Sequence, residues 1–180
     1  MMNAIRAPLV VSLMLIPFVL LSLKSIGYLS GLGANPVEAI IHEMGLWGIR
    51  FLMLTLLITP IAYYSGNRSI AKLGKPVGLM AFFYVLNHFL SYAIIDQAGD
   101  LAVIIVDIIE TPYLIVGWGG FLCLLGVASV SFKRLESWFN QNRSTISGLV
   151  YIATILGAWH CYWQSTVIEY EPLLYSVILL

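Results

Sequence analysis

Between residues 8 and 28 the chain carries one charged side chain, Lys24, and stretches of the same kind recur at 45–64, 76–95, 112–132 and 146–163. Across those four, Arg50 is the only Asp, Glu, Lys or Arg. Each stretch is close to the roughly 20 residues that an α-helix needs to cross a hydrocarbon core about 30 Å thick. In lipid the backbone polar groups must be satisfied inside the element, and a helix does this along its own length. Composition agrees: 60% of the residues are hydrophobic and 10% charged, where soluble domains have about a quarter charged. The expected fold class is an all-α integral membrane protein, a bundle of five to six transmembrane helices with the last one short or truncated. A length of 180 residues then leaves no room for a nucleotide-binding or catalytic domain. No nucleophile–base arrangement, Gly-rich phosphate loop or nucleic-acid-binding patch is visible, and no internal repeat. Cys123 and Cys161 stand far apart in apolar stretches and read as packing residues.

The segments between the spans are short. Pro17 places a kink in the first span, tolerated if neighbouring groups satisfy the freed carbonyl. The connector Gly31-Leu32-Gly33-Ala34-Asn35-Pro36 follows, and residues 38–44 read as a short amphipathic lead-in to the second span. The apolar run 101–109 is too short to cross a bilayer and is expected at the interface. Residues 173–180 read either as a short sixth helix or as the start of a sixth span.

Placed on this topology, the charges sort by sign. Arg6, Arg68, Lys72, Lys75, Lys133, Arg134 and Arg143, seven of the nine basic residues, fall on one side. Glu38, Glu43, Asp96, Asp100, Asp107, Glu110, Glu169 and Glu171, eight of the nine acidic ones, fall on the other. Basic residues near span ends mark the cytoplasmic side, which puts the N-terminus there.

The chain has three histidines, His42, His88 and His160. His88 lies about 12 residues into an outward-running span and His160 about 14 into another, roughly 18 and 21 Å at 1.5 Å per residue. Both depths fall in the outer half of the core, and His42 precedes the second span at the outer surface. An imidazole in a span is costly unless paired or ligated and marks function by default. One such histidine can be a satisfied core residue. Two at similar depth on different helices, without a buried carboxylate partner, suit a shared ligand, and heme iron fits because two axial imidazoles hold it in a low-spin form suited to electron transfer. Zinc fits less well, for want of Cys or buried carboxylates to complete a tetrahedral set. Arg50 reads as a partner for a heme propionate or, equally, as a cation paired with Glu43 or snorkelling to headgroups.

Several runs carry a family likeness. They are Gly31-Leu-Gly-Ala-Asn-Pro-Val-Glu-Ala-Ile-Ile-His42, Phe51-Leu-Met-Leu-Thr-Leu-Leu-Ile-Thr-Pro60, His88-Phe-Leu-Ser-Tyr92, Thr111-Pro-Tyr113 and His160-Cys-Tyr-Trp163. In order and spacing they resemble the heme-binding membrane subunits of bacterial periplasmic protein-methionine-sulfoxide reductase systems, within the ferric-reductase-like transmembrane family. The resemblance implies a single ferric-reductase-like transmembrane domain over residues 1–180, in the bacterial inner (plasma) membrane, and an electron-transfer subunit of an oxidoreductase system rather than its catalytic subunit. It implies heme b, with FMN or quinone on the donor side. Electrons would come from the quinone pool or a cytoplasmic flavin reductase and pass to a periplasmic molybdenum-cofactor reductase subunit. His88 and His160 match the family's heme-iron ligands, and His42 a characteristic histidine near the same face. Members usually carry a further histidine where this chain has Ser147, and a Trp where it has Arg143. These departures lie on the cytoplasmic side and describe a divergent member with one outer heme. A ferric-reductase-like or quinone-linked cytochrome with another partner is the alternative, and a heme-free structural subunit a third.

Overall fold

The computed structural model describes residues 2–131 and 136–164, and every regular element among them is a helix. Five helical stretches are long and apolar enough to cross a membrane: Ala7–Ser25, Pro36–Tyr64, Arg68–Asp96, Pro112–Val130 and Ser144–Gln164. The five expected spans are thus present as helices. The expected sixth at 173–180, with Glu169 and Glu171, lies outside the described residues, as do Lys133 and Arg134. Large apolar side chains are turned outward, among them Leu13, Val19, Leu57, Leu122 and Ile152. This is the surface of an all-α multi-pass membrane protein, since in water such continuous apolar exposure would drive aggregation. The described residues group into two compact units that divide between Asp100 and Leu101.

In the first unit, α1 (Met2–Met14) and α2 (Ile16–Ser25) form one span broken at Leu15. The break has a cause. Pro17 has no N–H to give, and the hydroxyl of Tyr84 enters the helix where the next bond of the ladder would run. The Phe18 N–H donates to that hydroxyl at 2.9 Å, and the hydroxyl donates to the Met14 carbonyl at 2.7 Å. Tyr84 is completely buried and its ring packs edge-on against Phe18, Phe51 and Phe83.

Helix α3 (Pro36–Tyr64) starts at the last residue of the expected connector, nine residues before the expected span. Pro36 occupies the first turn, and the Asn35 side chain accepts from the Glu38 N–H at 3.4 Å and donates to Glu38 Oε2 at 2.9 Å. The expected lead-in 38–44 is continuous with the second span. The helix has 29 residues, about 43 Å at 1.5 Å per residue, so one end projects beyond a 30 Å core. A short turn α4 (Arg68–Ala71), capped by Asn67, leads to α5 (Gly74–Leu90), which widens into a π-helical turn at Ser91–Asp96. Helices α3 and α5 are an antiparallel hairpin with Leu52, Val77, Ala81 and Tyr84 buried. Arg68, Lys72 and Lys75 stand at its connection, and Glu38, Glu43, Asp96 and Asp100 belong to its open end, the sorting of charge expected from sequence.

The second unit begins with α6 (Leu101–Glu110), whose Leu101, Val103, Ile105, Val106 and Ile109 are exposed while Ile104 is buried. Helix α7 (Pro112–Val130) follows after Thr111, and the Thr111 hydroxyl donates to Asp107 Oδ1 at 3.0 Å. A short α8 (Glu136–Gln141) precedes α9 (Arg143–Gln164), which pairs with α7 as a second hairpin. Its core is small: Ala153, Thr154 and Ala158 are almost wholly buried. The Thr154 hydroxyl donates to the Val150 carbonyl at 2.7 Å, so no polar atom is stranded there.

Candidate functional site: two seated imidazoles

His88 lies in the last turn of α5, beside the N-terminal part of α3, and its Nδ1 is 2.8 Å from the Ile41 carbonyl oxygen. His160 lies near the end of α9, with Nδ1 2.7 Å from the Tyr113 carbonyl oxygen in the first turn of α7. A carbonyl can only accept, so in both pairs Nδ1 carries the hydrogen and donates it. The neutral ring then has its lone pair on Nε2, the nitrogen a metal would take. Both histidines are half-buried, and the Tyr113 ring stands 5.7 Å from that of His160, centroid to centroid.

Each ring rests on a glycine. A Cβ on Gly45 would stand 3.1 Å from His88 Nδ1 and 3.2 Å from Cε1; one on Gly117 would stand 2.8 Å from His160 Nδ1 and 3.0 Å from Cε1. One turn further on, Gly48 and Gly120 admit the opposing helix, Gly48 against Val85 and Tyr84 and Gly120 against Ala153, Leu156 and Gly157. The two constructions share one register. In both, histidine and carbonyl are 47 positions apart. Ile41, Gly45, Gly48, Val85 and His88 each have their equivalent 72 positions later, in Tyr113, Gly117, Gly120, Gly157 and His160. The expectation of no internal repeat is therefore corrected: the hairpins repeat in backbone register, although few side chains match. The signal present in sequence was a Gly-x-x-Gly pair followed by a histidine 43 positions after its first glycine, twice.

The remaining candidates divide between the units. His42 and Arg50 lie on α3 with the Ile41 carbonyl, in the unit that holds His88. His42 is half-buried, and the Arg50 guanidinium stands over the Trp47 ring, 4.9 Å from its centroid. His160 belongs to the other unit. Among the described residues no three His, Cys, Asp or Glu side chains gather to hold a single ion. The donor chemistry is imidazole: one carbonyl-seated ring in each hairpin, and His42 as a second histidine in the first. Ser147 is exposed on α9.

The helices and their seated histidines define the class: an all-α multi-pass membrane protein whose two hairpins each hold an imidazole on a main-chain carbonyl. Residues 44–158 match the family described as "Ferric reductase like transmembrane component". The match takes in His88 and all four of these glycines, and it stops two residues before His160. The chain is 35% identical over 153 residues to the protein-methionine-sulfoxide reductase heme-binding subunit MsrQ of Brucella ovis, covering 85% of this chain and 69% of that one. It is 34% identical over 158 residues to the subunit of the same name from Polaromonas naphthalenivorans, covering 87% and 71%. The chain belongs to the ferric-reductase-like transmembrane family, as a divergent relative of these heme-binding subunits.

Proposed function

We propose that this chain is a heme-b-binding subunit that carries electrons across a bacterial inner membrane to a periplasmic molybdenum-cofactor methionine-sulfoxide reductase. The electrons come from quinol or a cytoplasmic flavin reductase, with quinone or FMN as the donor-side cofactor. The observation that carries the reading is the hydrogen bond from Nδ1 to a main-chain carbonyl, made by both His88 and His160. A ligating histidine characteristically gives its other N–H to such an acceptor, which selects the tautomer, aims the ring and raises its basicity. The residues present therefore fit heme. Bound by two imidazoles, heme supplies one-electron transfer in a low-spin state. The chain's own part is to present Nε2 of His88 and His160, to hold both rings still and to exclude water with apolar helices. Arg50 is the proposed partner of a heme propionate, with His42 near the same end of the first hairpin. The basic residues near the span ends support a cytoplasmic N-terminus, and the proposal takes residues 1–180 as one transmembrane domain. The names of the relatives support the pairing with a methionine-sulfoxide reductase.

The test is the reduced-minus-oxidised absorption spectrum of detergent-purified protein, with heme quantified, for wild type, His88→Ala and His160→Ala. A low-spin b-type spectrum at about one heme per chain, lost or turned high-spin by either substitution, means that both imidazoles serve one iron. Two hemes per chain would point to an inner ligand set that does not need a histidine at Ser147. No heme under adequate supply would sink the electron-transfer reading.

A further inference from the structure

A helix carbonyl has two lone pairs, and the N–H four residues on takes one. The second is seldom open to a neighbouring side chain. Each Cα–Cβ bond in a helix tilts toward the N-terminus, so the side chain at position i+4 covers the carbonyl at position i. The residues four positions beyond Ile41 and Tyr113 are Gly45 and Gly117. In each hairpin the glycine thus stands where a side chain would cover the carbonyl that the histidine uses.

We propose that Gly45 and Gly117 are positioning residues for His88 and His160, each uncovering the main-chain carbonyl that fixes its histidine's tautomer and aim. The contacts grade the effect. At Gly117 a Cβ would meet His160 Nδ1 at 2.8 Å and Cγ at 3.2 Å. Cγ is the root of the ring, so the imidazole cannot clear the methyl by swinging its tip and must leave Tyr113. At Gly45 the nearest atoms are Nδ1 at 3.1 Å and Cε1 at 3.2 Å, with Cγ at 3.7 Å. A shift of a few tenths of an ångström relieves that contact, so the bond to Ile41 weakens without being lost. Two other glycines separate this role from general packing. A Cβ on Gly48 would meet Val85 Cγ2 at 2.8 Å and no histidine, and one on Gly126 would meet nothing within 4 Å.

The effect on heme potential rests on the proposed ligand role of the two histidines, whereas the tautomer does not. The experiment therefore reads both on the full-length protein. Nitrogen-15 histidine NMR of the dithionite-reduced protein above neutral pH, assigned with His88→Gln and His160→Gln, reports whether each ring holds a solvent-protected Nδ1–H. Potentiometry follows the heme in the same samples. Gly117→Ala is expected to lose the protected His160 signal and to raise the midpoint potential, because the ligand loses basicity. Gly45→Ala is expected to speed exchange at His88 with a smaller rise. Gly48→Ala and Gly126→Ala should keep both signals. Retention of both signals in Gly117→Ala would overturn the proposal, as would their equal loss in Gly48→Ala. A protein without heme would remove the proposed function, while the NMR result would still decide the role of the glycines.

Discussion

The hairpins α3/α5 and α7/α9 share a seat for histidine and differ in nearly everything around it. In the first, Tyr84 ties the seat's own helix to the broken α1/α2 span through a hydroxyl that serves two backbone groups. Its equivalent in the second hairpin is Leu156, which offers no hydrogen bond. The first hairpin carries His42 and Arg50; the equivalent positions of the second hold Leu114 and Leu122. The second instead shows an aromatic face, with Trp159 and Trp163 exposed and stacked 6.0 Å apart, as suits rings at a membrane interface. The difference teaches that seating the imidazole needs only a carbonyl, a glycine four residues on and an opposing helix. His42 and Arg50 belong to the first hairpin, and there a propionate partner is proposed.

Substitutions can break or sharpen this comparison. The largest effect on stability is expected from Gly48→Ala. Its Cβ would press on Val85 at 2.8 Å, whereas the nearest atom to a Cβ on Gly120 is the Ala153 carbonyl oxygen at 3.4 Å. Overpacking of this kind costs about 1–3 kcal/mol, so Gly48→Ala should lower the thermal midpoint in detergent clearly and Gly120→Ala by much less. Equal shifts would show that the hairpins tolerate crowding alike. Next comes Tyr84→Phe, which leaves the Phe18 N–H and the Met14 carbonyl without the hydroxyl between them. The expected loss is about 1–2 kcal/mol. It should appear as faster hydrogen exchange at the Phe18 amide, with α7 and α9 unaffected. The smallest effect is expected from Gly126→Ala in the open part of α7. Ala favours a helix over Gly by up to about 1 kcal/mol, so this variant should melt slightly higher.

Hydropathy and length determined the spans without any tertiary information, because a helix in lipid satisfies its own backbone and needs only an apolar exterior of the right length. The start of α3 falls in what reads as a connector, although its signal is local: Asn35 and Pro36 act on the turn they adjoin. The three histidines stood out as too polar for their surroundings. Sequence did not show what holds two of them. The atoms concerned lie 47 residues from each histidine, on another helix, and one partner in each bond is a main-chain carbonyl, which has no letter in a sequence. The break in the first span was readable at Pro17, but its repair comes from Tyr84, 66 and 70 positions away. Such contacts depend on how each pair of helices is rotated and how closely it approaches. Glycine sets that approach through a side chain it lacks, so only the packed hairpins decided what Gly45 and Gly117 are for.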